Sequence, residues 1–342
     1  MSDLPATGGM RGARRRAVRL ADETLLRTSY LPQSDRLPLV FSPAAAGVDL
    51  ADWAAGHREE VLAALHRHGA VYFSGFALSS AEEFERAAGA LVPDLFGEYG
   101  DLPREAAGEK IFTSTPYPPD QMILYHNESS HMARWPMKIF FFSALAAQSG
   151  GETPVVDVRA LLDLIRPDYL ERFQRLGLRY VRNFTAGVDV SWRQFFQTDD
   201  PAEVERRCAE AGAEATWLAD QRQLQVTQPA RAVHEHPVTG ERVFFNQVLL
   251  HHPAALDPRT RSSLLELFGP EGLPRNVFFG DGSVIEDAVV EHLLAVYHSA
   301  RVAFEWTTGD MLMLDNMLVA HGRMPFTGPR KTLVAMGDMF QG

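Results

Sequence analysis

Gly309-Asp310-Met311-Leu312-Met313-Leu314-Asp315-Asn316-Met317-Leu318-Val319-Ala320-His321-Gly322-Arg323 is the stretch whose reading decides the fold. Gly309-Asp310 predicts a turn, residues 311–314 a buried strand, and Asp315-Asn316 a second turn. His321 then sits just past a rigid strand, where a side chain can be held precisely. Downstream, Pro325-Phe326-Thr327-Gly328-Pro329-Arg330 forms a tight segment, and an apolar strand follows it. The end of the chain alternates strand and turn: 301–306, 311–314 and 331–338.

Working outward, the middle and the start of the chain are more mixed. Residues 37–41 predict a short strand. Asp49 predicts a helix cap, with one helix over residues 50–68. Ala70-Val71-Tyr72-Phe73 predicts a buried strand ended by Ser74-Gly75, and Ser80-x-x-Glu83 a capping box opening a helix to about residue 91. Residues 93–124 collect Gly, Pro and Tyr, as a long ordered loop or lid would, with Thr113-Ser114-Thr115-Pro116-Tyr117 inside it. Residues 138–145 predict an apolar strand running into Gly150-Gly151, and 242–248 another strand. Helices are expected over 159–175, over 191–211 in pieces, and over 257–268 and 285–298. Scattered short strands with inserted helices predict a mainly β fold with flanking helices around a barrel-like core, not a βαβ repeat. Residues 1–36 read as a polar, irregular segment and 37–342 as one domain.

Composition limits the partners. The chain has 342 residues, 46% of them hydrophobic, and a formal net charge of -11. That balance argues against general binding to nucleic acid or an anionic membrane. No apolar run approaches the roughly 20 residues of a membrane helix. Arg11, Arg14, Arg15, Arg16 and Arg19 are not followed by the apolar region of a secretory signal. Cys208 is the single cysteine, which leaves neither an intrachain disulfide nor a thiolate metal cage and suits a reducing cytoplasm.

The chemistry-bearing residues are split along the chain. Tyr125-His126-Asn127-Glu128 places a histidine and a carboxylate two apart. A helix would turn these to different faces, so the motif belongs on a strand end or loop. Alone, it is as well explained by a surface polar pair, and His321 by a satisfied strand histidine. Together they complete two imidazoles and one carboxylate, which can occupy one face of Fe(II) and leave three positions open. Arg330 could be a solvated charge. An arginine entering an apolar strand is costly without an anion, and its planar fork matches a carboxylate.

Tyr125-His126-Asn127-Glu128, Gly150-Gly151-Glu152-Thr153-Pro154 and the block from Trp306 to Arg330, in that order and spacing, resemble the TauD/TfdA superfamily, and within it the SyrP-like hydroxylases. The resemblance covers roughly residues 70–340. It implies a double-stranded β-helix (jelly-roll) core and the use of Fe(II), 2-oxoglutarate and O2. It also implies iron ligation by His126, Glu128 and His321, and 2-oxoglutarate binding by Thr153 and Arg330. Much of the superfamily has Asp where this chain has Glu128; SyrP-like and clavaminate-synthase-like branches commonly have Glu. Family halogenases lack this carboxylate, so its presence implies hydroxylation, with desaturation or cyclisation as variants. The implied substrate is a small molecule, an amino acid or its derivative, free or presented by a carrier protein. Another small acid or sulfonate, or a non-catalytic jelly-roll binding protein, are the competing readings.

Asn246, Arg323, Arg104 and Thr115 are candidate substrate contacts, each with an ordinary packing or solvated alternative. His234, His236, His251 and His252 lack a carboxylate and arginine at matching spacing and are assigned to packing or supporting roles, and Trp306 to the core.

Overall fold

The computed structural model of the chain describes residues 25–97, 107–114, 117–184, 190–218 and 223–342. Its largest sheet has seven strands, in the order Leu26–Tyr30, Leu39–Pro43, Ala70–Phe73, Met311–Asp315, Arg134–Leu145, Lys331–Gln341 and Phe112–Thr113. All neighbours are antiparallel except Leu39–Pro43 and Ala70–Phe73, which run parallel. Sequence-distant strands therefore lie side by side at the centre, with Met311–Asp315 between Ala70–Phe73 and Arg134–Leu145. Asp310 fastens that junction. Its carboxylate accepts from Tyr72 Oη at 2.6 Å, Ser74 Oγ at 3.1 Å and the Gly75 amide at 3.0 Å.

The unbroken apolar run at 139–142 is explained by burial of both sheet faces, where ordinary strand alternation would show a polar side. Phe140 and Phe142 pack with Val71, Phe73, Met311 and Met313 against Trp53, Leu65, Phe84 and Leu91 of the early helices. Ile139 and Phe141 face the other way, with Tyr72, Leu312, Leu314 and Val334. That inner cluster continues into a three-stranded sheet, Ile123–His126, Val319–Arg323 and Val155–Asp157, and into helix Asp287–Ala300. The two faces of one sheet thus separate a helical buttress from the interior that holds the site.

Local expectations are met unevenly. Strand 70–73 and the helix after Ser80 appear as read, and Ser80 Oγ accepts from the Glu83 amide at 3.2 Å. The return half of the capping box goes elsewhere: Glu83 Oε2 accepts from the amide and hydroxyl of Ser79. The single helix expected over 50–68 is two, Leu50–Gly56 and Arg58–His68. Gly56 is a weak helix former, and the His57 ring lies 2.9 Å from the Trp53 carbonyl, which an unbroken helix would use internally. No strand forms over 301–306, where a lone bridge joins Val302 to Val155. Strand Arg242–Phe244 stops short because the chain turns into helix Val248–His251.

A four-stranded sheet, Glu214–Leu218, Gln223–Ala230, Leu178–Phe184 and Arg275–Phe279, was not expected from the sequence. Strand Leu26–Tyr30 likewise lies within the segment read as irregular. The arginine-rich stretch 11–19 lies outside the described residues. Among the described residues, no helix is long and apolar enough to cross a membrane.

Candidate metal centre

His126 ends one strand of the three-stranded sheet and His321 sits in its neighbour, directly opposite in register. Their ring centroids are 4.4 Å apart, and Phe141 packs at 5.0 Å from the His321 ring. Glu128 follows on the turn beyond the first strand, with its carboxylate 4.0 Å from His126 Nε2. The ligand atoms of the three residues all lie within 4.8 Å of one another, and among the described residues no other group of His, Cys, Asp or Glu converges in this way. His126 Nδ1 lies 2.8 Å from the Leu124 carbonyl. Donation there fixes the tautomer and leaves Nε2 with a lone pair facing the carboxylate. Two neutral imidazoles and a carboxylate are a donor set suited to a divalent first-row metal with open positions, so the residues fit Fe(II).

The turn carrying Glu128 has its own supports. Ser129 takes a left-handed backbone (φ 56°), an uncommon conformation for a side-chain-bearing residue that reverses the chain here. Gln247 Nε2 and Ser130 Oγ both donate to the Asn127 carbonyl, at 3.0 and 2.8 Å. Asn316 spans Glu128 itself, accepting from its amide at 2.7 Å and donating to its carbonyl at 2.9 Å.

Thr153 and Arg330 face the same cavity as the triad, a space of about 720 Å³ also lined by Thr332, Val334 and Gln247. Thr153 is buried, and its Oγ1 accepts from the Trp306 indole at 3.1 Å. The threonine proton is therefore left to be donated to another acceptor. Trp306 packs against the core, as read from the sequence, and its indole also orients this hydroxyl.

Arg330 is half-buried. No hydrogen bond or ion pair joins its guanidinium to the described residues, and its plane lies over Phe326 at 5.5 Å from the ring centre. Burial and the nearby Arg323 cation pull its pKa down to about 10, against the opposing pull of Glu152. A cation held in that condition favours an incoming anion. Gly151 makes room for it: at φ 77°, a Cβ there would stand 3.0 Å from Arg330 Cδ and Nε. A side chain at 151 would be strained and would push the guanidinium away.

The remaining candidates divide. Arg323 lines the cavity, but its terminal nitrogens donate to the carbonyls of Tyr117 (3.1 Å), Pro118 (2.6 Å) and Gln121 (2.7 Å). It ties the 117–121 segment to the metal-bearing strand, and burial lowers its pKa. Arg323→Met should leave the fold intact and speed amide exchange selectively in 117–121. Unchanged exchange there would show that the segment is held by other contacts.

Asn246 does not line the cavity. Its Oδ1 accepts from the Val248 amide at 3.1 Å and its Nδ2 lies 3.5 Å from the Ala232 carbonyl. The adjacent Gln247 is the amide that reaches the site, because the chain leaves the strand at Phe244 and alternation no longer applies. Arg104 and Thr115 lie outside the described residues; Ser114 and Tyr117, on either side of 115–116, line the cavity. His236 joins the buried Asp315 at 3.2 Å, and His252 Nε2 meets the Ile285 carbonyl at 2.9 Å, both supporting roles. Arg275 and Asp257, not singled out from the sequence, also line the cavity, together with Leu249, Leu250 and Thr260. Arg275 opens strand Arg275–Phe279, whose apolar residues Val277-Phe278-Phe279 come only after it.

Residues 33–336 match the model of the taurine catabolism dioxygenase TauD, TfdA family. The chain is 37% identical over 275 residues to the dapdiamide synthesis protein DdaC of Enterobacter agglomerans, covering 80% of this chain and 83% of that one. It is 29% identical over 338 residues to a clavaminate synthase-like protein of Arabidopsis thaliana, covering 92% and 99%. The crystal structure of a taurine dioxygenase from Burkholderia xenovorans shares the fold, with a TM-score of 0.53 at 17% identity over 92% of this chain and 90% of that one.

Proposed function

Because this chain belongs to the TauD, TfdA family of dioxygenases, we propose that it hydroxylates an amino acid or an amino-acid-derived intermediate of specialised metabolism, free or carrier-tethered, within one domain over residues 37–342. It is an Fe(II)- and 2-oxoglutarate-dependent enzyme. The observation that carries the reading is one cavity lined by His126, Glu128, His321, Thr153 and Arg330 together. The SyrP-like branch accords with Glu128 as the carboxylate, and the relative named for dapdiamide synthesis accords with a biosynthetic setting. The seven-stranded and three-stranded sheets sharing one apolar interior are read as the two walls of a jelly roll.

His126, Glu128 and His321 would hold the iron. Bound there, Fe(II) supplies the redox chemistry that couples oxidative decarboxylation of 2-oxoglutarate by dioxygen to oxidation of a substrate C–H bond. The protein contributes position and dryness. Arg330 would pair its fork with the distal carboxylate of 2-oxoglutarate, and Thr153, oriented by Trp306, would donate its proton to the same group. Phe141 and Val334 give that part of the cavity an apolar lining, which would disfavour water there. Arg275 and Asp257 place a cation and an anion on the lining, the complement of a carboxylate and an ammonium group, and Leu249 and Leu250 offer apolar contact.

A panel of amino acids, each with its des-amino and carboxamide analogues, should release succinate best with the intact zwitterion. Under labelled dioxygen with high chloride, the product should gain one labelled oxygen and no chlorine, because Glu128 occupies the position a halide would need. Loss of two hydrogens without retained label would make the enzyme a desaturase or cyclase. Strong turnover of a sulfonate or simple acid alone would move the substrate class.

A further inference from the structure

Two members of the triad are fixed by strand pairing, but Glu128 is not. His126 and His321 lie opposite one another in the three-stranded sheet, whereas Glu128 stands beyond its last paired residue and before the left-handed Ser129. Its backbone must be held by something other than a ladder. The structure assigns this task to Asn316: we propose that its side-chain amide is the positioning group for the Glu128 carboxylate, and thereby sets metal affinity. The inference rests on His126, Glu128 and His321 being the metal ligands.

Asn316 is fully buried and all its polar groups are used. Its Oδ1 accepts from the Glu128 amide at 2.7 Å, while Nδ2 donates to the Glu128 carbonyl at 2.9 Å and the Pro136 carbonyl at 2.8 Å. The side-chain amide thus pairs with Glu128 at two points, as one strand residue pairs with another. The backbone of Asn316 completes the clasp. Its amide donates to Met137 at 2.8 Å and its carbonyl accepts from Asn127 Nδ2 at 2.6 Å. Only a primary amide of this length offers one acceptor and two donors from a single short side chain. Aspartate would keep the shape and lose both donors.

The clasp is itself anchored. Asp315, also fully buried, accepts from Lys138 Nζ at 2.8 Å and lies 3.2 Å from His236 Nε2. Its other oxygen accepts from the amides of Met317 and Leu318 at 3.1 and 3.2 Å. The Asp315-Asn316 turn is therefore pinned on one side to a buried charge cluster and on the other to the loop bearing the carboxylate ligand. Lys138 belongs to strand Arg134–Leu145, inside the seven-stranded sheet, so Glu128 is referenced to that sheet through Asn316.

The test measures binding of Co(II) alone to the metal-free protein under anaerobic conditions, by equilibrium dialysis and visible absorption. Asn316→Asp and Asn316→Ser should each raise the Kd roughly 10- to 100-fold, as for outer partners of metal ligands, and should change the Co(II) absorption envelope. Asn183→Ala provides the control for plain destabilisation. Asn183 is a buried asparagine that donates to the Glu271 and Leu273 carbonyls, at 3.0 and 2.7 Å, in the four-stranded sheet. That variant should also melt earlier, yet bind Co(II) within about twofold of wild type with the same spectrum. His321→Ala, run alongside, should lose tight binding altogether. If His321→Ala loses binding while both Asn316 variants keep wild-type Kd and spectrum, the positioning role is wrong and the triad stands. If His321→Ala binds normally, the triad reading itself has failed. Equal loss of affinity in Asn183→Ala would reduce the Asn316 effect to general stability and overturn the proposal.

Discussion

His321→Ala should lose at least ~100-fold in turnover after metal stripping and iron reloading, because removing an outer partner of a ligand already costs roughly 10- to 100-fold in affinity or activity. The same holds for His126→Ala. Both rings sit on paired strands whose backbones do not depend on the imidazole, so circular dichroism and cooperative melting should persist. The His321 ring does pack against Phe141 and His126, and a modest loss of stability from that small void is expected. Near-wild-type turnover from either reloaded variant would remove these residues from the metal centre.

Arg330→Ala should raise the KM for 2-oxoglutarate at least ~30-fold, with a smaller effect on turnover at saturating cosubstrate. A desolvated charge pair truncated on one side costs about 2–5 kcal/mol, and its lower end corresponds to that ratio. The direction of the pKa shift accords with the sign of the effect. Burial and Arg323 already disfavour the Arg330 cation, held to about 10, so an anion arriving beside it relieves an existing penalty. Thr153→Ala should act the same way more weakly. A neutral hydrogen bond contributes about 0.5–1.5 kcal/mol, and the Trp306 indole would lose its acceptor as well. A 2-oxoglutarate titration for Arg330→Ala that overlays wild type would exclude the residue from cosubstrate binding.

What could be read from the sequence was what local chemistry decides. The strand 70–73, the cap at Ser80 and the strand after Gly309-Asp310 each carry their own signal in a few residues. His126, Glu128, His321 and Arg330 were singled out by donor type and position and Thr153 by the family resemblance alone, and the structure gathers all five on one cavity. What was missed depends on distant partners. Leu178–Phe184 alternates only partly, and Glu214–Leu218 is half-exposed to exposed along its length, so neither presents an apolar pattern; they become strands by pairing with Gln223–Ala230. Gln247 rather than Asn246 reaches the cavity because an early strand end shifts the phase, which no periodicity rule anticipates. Trp306 illustrates the same limit: its indole matters through Thr153, far away in sequence.

The pairing of His126 with His321 also bears on how the protein is made. His126 and Glu128 come from the first half of the chain and His321 from its last tenth. A nascent polypeptide can therefore present two of the donors long before the third has been synthesised. The full donor set arises only when strand Val319–Arg323 inserts between Ile123–His126 and Val155–Asp157, a late, long-range closure with a large loop entropy. Metal captured by the complete set binds the native state in preference to any partial one and adds its free energy there. On the proposed ligand set, iron loading would act as a seal on finished molecules: chains that stall or are truncated before His321 would gather the ion only weakly and would not be consolidated by it.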